Sequence, residues 1–301
     1  CGIGGDAIAM DAHQDVHLVD LDPHALRMAG HNVAVYGGEA VLHEQTADSI
    51  DVEELDAFHI DPDRRAPQLG GKRTVSLDCF SPSIGELKKL ATKNPDFGLK
   101  LAPASTMWPG DHEIEFLGHQ RECKQQVVWS GRLMNRPGRR ATVLLDSGLQ
   151  ETFFVPVGDQ DPKSVVWEEL AGSVGDYIYD PHACLLASGL VEDFAVQMKM
   201  QLVSRQSGYL TSNQRSCSRL ISGFRVLDVL KLNVKMIERY LKQHQVGQLE
   251  LKKRGPLDQE FARLSRVQRT GSNRMTLILS ETPSGLRAIA CRRIEDSAGA
   301  P

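Results

Sequence analysis

Short apolar runs alternate with amphipathic stretches along the first hundred residues. Val16-His17-Leu18-Val19-Asp20 is a compact apolar run closed by an acid, which predicts a buried strand. A helix is expected over residues 25–31 behind Asp22-Pro23, because proline is tolerated in a first helical turn. Residues 40–43 and 57–60 read as the next strands. Ile84, Leu87 and Leu90 recur at helical spacing and predict a helix over Ile84–Lys93, followed by a strand over 98–101 that Pro103 ends. Strands alternating with helices predict an α/β fold, a doubly wound, mostly parallel sheet with ligands at the strand C-terminal ends. Asp20, Asp48 and Asp61 all fall at such ends.

The pattern then changes. Residues 113–117 and 126–129 are strand-like around a polar turn, Arg121-Glu122-Cys123-Lys124-Gln125, and suit the antiparallel hairpin that often finishes such a sheet. Residues 141–145 are strand-like too. The basic, turn-rich link Met134-Asn135-Arg136-Pro137-Gly138-Arg139-Arg140 marks a boundary. Beyond it the expected elements are a helix over 183–197, a strand over 224–230, a helix over 234–244 and a strand over 248–252. A helix over Asp258–Ser265 and strands over 275–279 and 286–291 follow. This order predicts a smaller mixed α/β domain, so the expected organisation is residues 1–135 and residues 148–294.

The 301 residues suit about two domains, and 41% apolar with 25% charged residues excludes a disordered or collagen-like chain. No run nears the ~18 apolar residues of a membrane helix, so no membrane association is expected. Six scattered cysteines without a CxxC pair argue against a zinc cluster and a disulfide scaffold, and favour the cytoplasm; no metal is expected. The net charge of -4 hides an asymmetry. Residues 201–301 hold 18 Lys and Arg against 8 acids, while residues 1–200 hold 17 against 31. A dipolar chain of this kind points its C-terminal part at an anionic partner.

Candidate chemistry begins at Gly2-Ile3-Gly4-Gly5-Asp6. Glycines let backbone approach a ligand, and a strand-end acid such as Asp20 can take both hydroxyls of a ribose. The glycine turn alone is explained as well by an ordinary tight turn; Asp20 in the right place brings the two readings level. A nicotinamide enzyme would use the same pair of features.

Taken in order, Gly2-Ile3-Gly4-Gly5-Asp6, Val19-Asp20-Leu21-Asp22-Pro23, His31-Asn32, Ala47-Asp48 and Ile60-Asp61-Pro62 resemble the landmarks of class I S-adenosylmethionine-dependent methyltransferases. The resemblance implies S-adenosyl-L-methionine as cofactor, with Gly2 and Gly4 beside its methionine part, Asp20 on the ribose and Asp48 at the adenine amino group. Asp61 and Pro62 would face the transferred methyl, which is why the Asp-Pro pair favours this family over a nicotinamide enzyme. The chain opens inside the glycine loop, so the strand that normally precedes the loop is missing, and a fragment of a longer protein is expected.

Asp61-Pro62-Asp63-Arg64-Arg65 departs from the Asn/Asp-Pro-Pro-aromatic tetrad of enzymes that methylate base amino groups. Arg64 and Arg65 suit a substrate phosphate or carboxylate, or equally salt bridges within an acidic domain. Covalent carbon-5 chemistry needs a thiolate; Cys79 stands beside Phe80, where packing is the commoner role, so direct transfer is expected.

The stretches Ile60-Asp61-Pro62-Asp63-Arg64-Arg65, Phe80-Ser81-Pro82, Lys100-Leu101-Ala102-Pro103, Tyr177-Ile178-Tyr179-Asp180-Pro181 and Leu251-Lys252-Lys253-Arg254-Gly255 resemble a little-characterised group of bacterial methyltransferases with a C-terminal THUMP-like domain. That resemblance implies an RNA substrate, tRNA or rRNA. The basic knot Lys252, Lys253 and Arg254, with Arg263, Arg266 and Arg269 after it, would meet phosphates, or form ordinary surface charge. Tyr209, Phe224, Tyr240 and Phe261 are the few aromatics available for stacking, so recognition by shape is favoured. Two alternatives stay open: methylation of a small molecule or protein, and an RNA-binding protein whose methyltransferase domain no longer turns over. Oligomeric state is not readable from the sequence.

Overall fold

The computed structural model describes residues 1–10, 15–66, 72–73, 76, 79–158, 173–204 and 206–294. The chain divides into two compact units. One is Cys1–Glu115 with Gln125–Gly138; the other is Phe116–Lys124 with Arg139–Pro301.

The first unit opens with α1 (Gly5–Met10), β1 (Val16–Asp20), α2 (Pro23–Val35) and β2 (Ala40–Glu44). The Asp22 side chain caps α2 by accepting from the His24 N–H at 2.8 Å, with Pro23 in its first turn. Leu26, Ala29 and Val33 recur at helical spacing and bury against Leu18 and Ala7. β1 and β2 run parallel in register from Val16↔Ala40 to Asp20↔Glu44.

A second piece follows: β3 (Phe58–Ile60), the short β4 (Arg65–Ala66) and β5 (Lys72–Arg73), α3 (Ile84–Lys93) and β6 (Phe97–Leu101). Ser83 and Glu86 form a reciprocal capping box at the start of α3. Leu87 and Leu90 are buried as their spacing requires, and Phe80, Leu87, Phe97, Leu99, Leu101, Trp108 and Val128 form one core cluster. β3 and β6 are parallel, pairing His59 with Gly98 and Ile60 with Leu99. A hairpin of β7 (Glu113–His119) and β8 (Glu122–Trp129) forms, β8 lying antiparallel on β6; its turn is Gln120-Arg121, and Glu122–Gln125, expected in the turn, belong to β8. Parallel pairing in this unit thus occurs in two separate pieces: among the described residues no strand joins β1 to β3.

In the second unit β9 (Gly138–Leu144) pairs with β10 (Gln150–Pro156). β11 (Tyr177–Pro181), α4 (Ala183–Ala187), α5 (Val191–Gln197), β12 (Gln201–Leu202), β13 (Leu210–Ser212), β14 (Ile221–Lys231), α6 (Val234–Gln243), β15 (Val246–Lys253), α7 (Asp258–Ser265), β16 (Asn273–Thr282) and β17 (Gly285–Arg293) complete it. Its mixed sheet has the order β12-β13-β11-β14-β17-β16-β15. Both faces are covered. Leu277, Leu279, Ala288 and Ala290 pack with Ile237, Leu241 and Leu264 of the helices, while Ile278, Ile289, Cys291 and Phe224 pack with Ile178 and Tyr209. The single helix expected over 183–197 is two, because Gly189 takes a left-handed φ of +69° between α4 and α5.

Candidate functional site

The glycine loop and the end of β1 meet through one carboxylate. Asp20 Oδ2 accepts from the Gly2 N–H at 3.0 Å and from the Cys1 nitrogen at 2.8 Å, while Oδ1 accepts from the Asp22 N–H at 3.0 Å. Gly2 and Gly4 both have positive φ, +54° and +86°. A Cβ on Gly4 would stand 3.0 Å from Ala29 Cα, so this glycine lets the loop lie against α2. Gly2 and Gly5 instead face open space, with nothing within 4 Å of where a Cβ would be. Asn32 fastens the loop by donating to the Ile3 carbonyl at 2.8 Å.

A methionine-derived cofactor with a ribose fits these residues. The loop offers bare backbone with room beside it, and Asp20 is a carboxylate whose side chain keeps 23% exposure. Asp48 is exposed within a short 3-10 turn, Ala47–Ser49, after β2.

Asp61 and Pro62 follow β3 directly, Asp61 exposed and Pro62 buried. The backbone of Asp63 exchanges two hydrogen bonds with Ser81, at 2.8 and 3.0 Å, so the Phe80-Ser81-Pro82 stretch lies along the strand tip. Cys79, two residues away, is half-buried. Arg64 is half-buried, and the side chain of Arg65 lies outside the described residues.

Beside Asp61 stands a group that residue patterns did not mark as chemical. Lys100 on β6 places its Nζ 3.3 Å from Asp61 and 2.9 and 3.1 Å from the two oxygens of Asp6. His59 Nε2 is 3.5 Å from Asp6. Gly98 makes room for that imidazole, since a Cβ there would meet His59 Nδ1 at 2.9 Å and the Trp129 ring at 3.1 Å. Burial pushes His59 below the ordinary histidine value. Burial also acts to lower Lys100, yet Asp6 and Asp61 raise it on balance. Besides its place in the Lys100-Leu101-Ala102-Pro103 stretch, Lys100 is marked by being the sole charge in an otherwise apolar strand, Phe97–Leu101.

The basic knot of the second unit is occupied internally. Lys252 pairs with Asp180 at 2.7 Å, Arg254 with the other Asp180 oxygen at 2.5 Å, and Lys253 with Asp258 at 2.5 Å. Arg254 also donates to the Pro181 and Ser207 carbonyls. Tyr209 and Phe224, weighed as stacking platforms, are buried beneath Arg254 and Arg293 at 4.9 and 4.6 Å from ring centroid to guanidinium. The phosphate role expected of the 252–254 knot therefore meets side chains already engaged in ion pairs. Arg263 and Arg266 differ: both are exposed, and among the described residues their side chains have no hydrogen-bond or ion-pair partner.

Among the described residues no cluster of metal-ligating side chains occurs, and no helix is long and apolar enough to cross a membrane.

Comparison with known proteins gives three findings. The family described as THUMP domain-like matches residues 221–293, which run from β14 through β17. Over 97% of its length the chain is 27% identical to proteins of Mycobacterium tuberculosis strains CDC 1551 / Oshkosh and H37Rv, covering 80% of each; both are named uncharacterized S-adenosylmethionine-dependent methyltransferases. A crystal structure from Porphyromonas gingivalis W83, of a protein assigned as a methyltransferase, superposes with a TM-score of 0.77. That match has 19% identity and covers 98% of this chain and 75% of the other. The expected α/β methyltransferase fold is thus shared with a solved structure, and the THUMP domain-like match falls in the C-terminal part of the chain, over residues 221–293.

Proposed function

We propose that this chain, of the S-adenosylmethionine-dependent methyltransferase class with a THUMP-like C-terminal segment, transfers a methyl group directly to a base of RNA. The observation that carries the reading is the Asp20 carboxylate, which ties the Gly2 N–H to the end of β1 and keeps an exposed edge beside an open glycine loop.

S-adenosyl-L-methionine supplies an electrophilic methyl on a cationic sulfur. Gly2 and Gly4 shape the loop that would lie along its methionine part, Asp20 would accept from the ribose hydroxyls, and Asp48 would accept from the adenine amino group. Asp61, exposed at the end of β3, would orient the methyl acceptor, with buried Pro62 fixing the backbone behind it. Alignment is the main demand of a transfer from sulfonium, so no strong base and no thiolate are required. Arg64 and Arg65 would steady a phosphate of the substrate.

RNA is the acceptor supported by two features: the THUMP domain-like match and the surplus of cations in residues 201–301. Exposed Arg263 and Arg266 would meet phosphates, while Lys252, Lys253 and Arg254 contribute through the ion pairs that shape the surface. Free cysteines throughout the described residues suit a cytoplasmic setting.

The test is calorimetric titration of S-adenosylhomocysteine into wild type and Asp20→Ala, followed by transfer of labelled methyl to total RNA. Micromolar binding lost in the variant, with label in RNA, is the expected result. A folded wild type that binds no S-adenosylhomocysteine overturns the cofactor assignment. Label in protein or small molecules alone overturns the RNA assignment.

A further inference from the structure

The Asp6–Lys100–Asp61 arrangement links the two parts of the first unit on which the cofactor reading rests. Asp6 lies in α1, immediately after the glycine loop, and Asp61 ends β3. The parallel register that pairs His59 with Gly98 and Ile60 with Leu99 brings Asp61 beside Lys100 on the next strand. Lys100 is the least exposed of the three, at 18% against 48% for Asp6 and 51% for Asp61, so its ammonium sits behind the two carboxylates. The charged and titratable groups facing it are Asp6, Asp61 and His59. His59 is neutral near pH 7 because burial pushes its pKa down. Two carboxylates, one ammonium and a neutral imidazole leave a formal charge of -1.

That surplus has a chemical use at a site for S-adenosyl-L-methionine. The methyl donor carries a positive sulfur; the product, S-adenosylhomocysteine, carries a neutral one. A fixed negative charge favours the first over the second, whereas the ribose and adenine contacts treat both alike. We propose that the Asp6–Lys100–Asp61 cluster is a charge-matching element that favours the cationic methyl donor over its neutral product, with Lys100 setting the size of that preference. The inference rests on the cofactor reading above. Lys100 is a positioning residue: it holds both carboxylates in place and prevents their combined charge from reaching -2.

The preference is a ratio of two affinities, and it is measured without a methyl acceptor. Calorimetry would give dissociation constants of S-adenosyl-L-methionine and S-adenosylhomocysteine for wild type, Lys100→Met, Lys100→Arg and Asp6→Asn at neutral pH. Removing the Lys100 charge is expected to shift the ratio on the order of tenfold toward the cationic ligand, the size of a unit charge acting through a partly shielded site. Removing the Asp6 charge is expected to shift it the opposite way, and Lys100→Arg to leave it near wild type. Opposite signs in two folded variants are a pattern that general loosening of the site does not produce. Should Lys100→Met fail to fold, the Asp6→Asn shift still decides. Both ligands binding with an unchanged ratio, or both variants shifting it the same way, overturns the charge-matching role and leaves the cofactor reading standing. Binding of neither ligand to folded wild type overturns both.

Discussion

Lys252 and Asp180 form a 2.7 Å ion pair in which both side chains are largely shielded from water, at 17% and 15% exposure. Arg254 occupies the second Asp180 oxygen, so one carboxylate from the end of β11 pairs with two cations of the 252–254 stretch, and Glu250 stands 3.8 Å from Lys252. Removing the shared partner leaves Arg254 shielded without its carboxylate and Lys252 with only Glu250 at 3.8 Å. Asp180→Ala is therefore expected to lower the unfolding free energy by about 3 kcal/mol. Urea denaturation monitored by circular dichroism would measure it. A change within experimental error would show that solvent compensates Lys252 and Arg254 without Asp180.

The same pairing changes where RNA binding is expected. A cation already neutralised by a carboxylate displaces fewer counterions from RNA than an unpartnered one. Arg263→Ala and Arg266→Ala should each weaken binding of folded RNA more than Lys252→Ala does. The slope of log affinity against log salt should fall by roughly 0.7–0.9 for each phosphate that the variant no longer neutralises. Fluorescence anisotropy across a salt series is the measurement. Equal weakening in the two cases would place phosphate at the 252–254 stretch after all.

Local signals made much of the fold legible. Asp22-Pro23 announced α2, the spacing of Ile84, Leu87 and Leu90 announced α3, and the apolar run 16–20 announced β1, because each depends on neighbours within a turn or a strand. The glycine loop and Asp20 were legible for the same reason. Lys100 was not recognised as a partner of Asp6 and Asp61, since that pairing depends on which strand lies beside β3 and in what register. The density of charge at Lys252, Lys253 and Arg254 was visible, but Asp180 lies more than seventy residues away and its approach is set by the sheet. The break between α4 and α5 was available in Gly189 and was masked by the apolar residues on either side.

Gly4 combines two constraints on one residue. Its φ of +86° is a region that side chains disfavour, and an added methyl would meet the α2 backbone at Ala29 Cα, 3.0 Å away. Gly4→Ala is expected to cost about 1–3 kcal/mol of stability, because relief requires the loop to lift from α2. Lifting the loop also moves the Gly2 N–H from Asp20, so S-adenosylhomocysteine affinity should fall together with the melting temperature. Gly5→Ala is the matched control: its φ is not in the left-handed region and nothing lies within 4 Å of its added methyl. A Gly4→Ala variant that matched Gly5→Ala in both readouts would remove the packing of loop on helix as a requirement.

His59 gives the first unit a pH dependence whose sign follows from its burial. Its side chain is 17% exposed, and desolvation holds its pKa below the ordinary value of 6.5. Between that depressed value and 6.5 the unfolded chain binds a proton that the folded chain refuses. Stability is therefore retained above pH 6.5, falls as the pH drops through this window, and stops falling from this source below the folded pKa. Asp6 and Asp61 act to raise the pKa and Lys100 to lower it, but burial is the largest influence. His112 and His182 are shifted the same way, so wild type should show the summed slope. His59→Phe, which cannot bind a proton in either state, should flatten the part of the curve that belongs to His59. Chemical denaturation at pH steps from 5 to 7.5 would measure the difference. Parallel curves for wild type and His59→Phe would mean that His59 takes up its proton in the folded chain as readily as in the unfolded one.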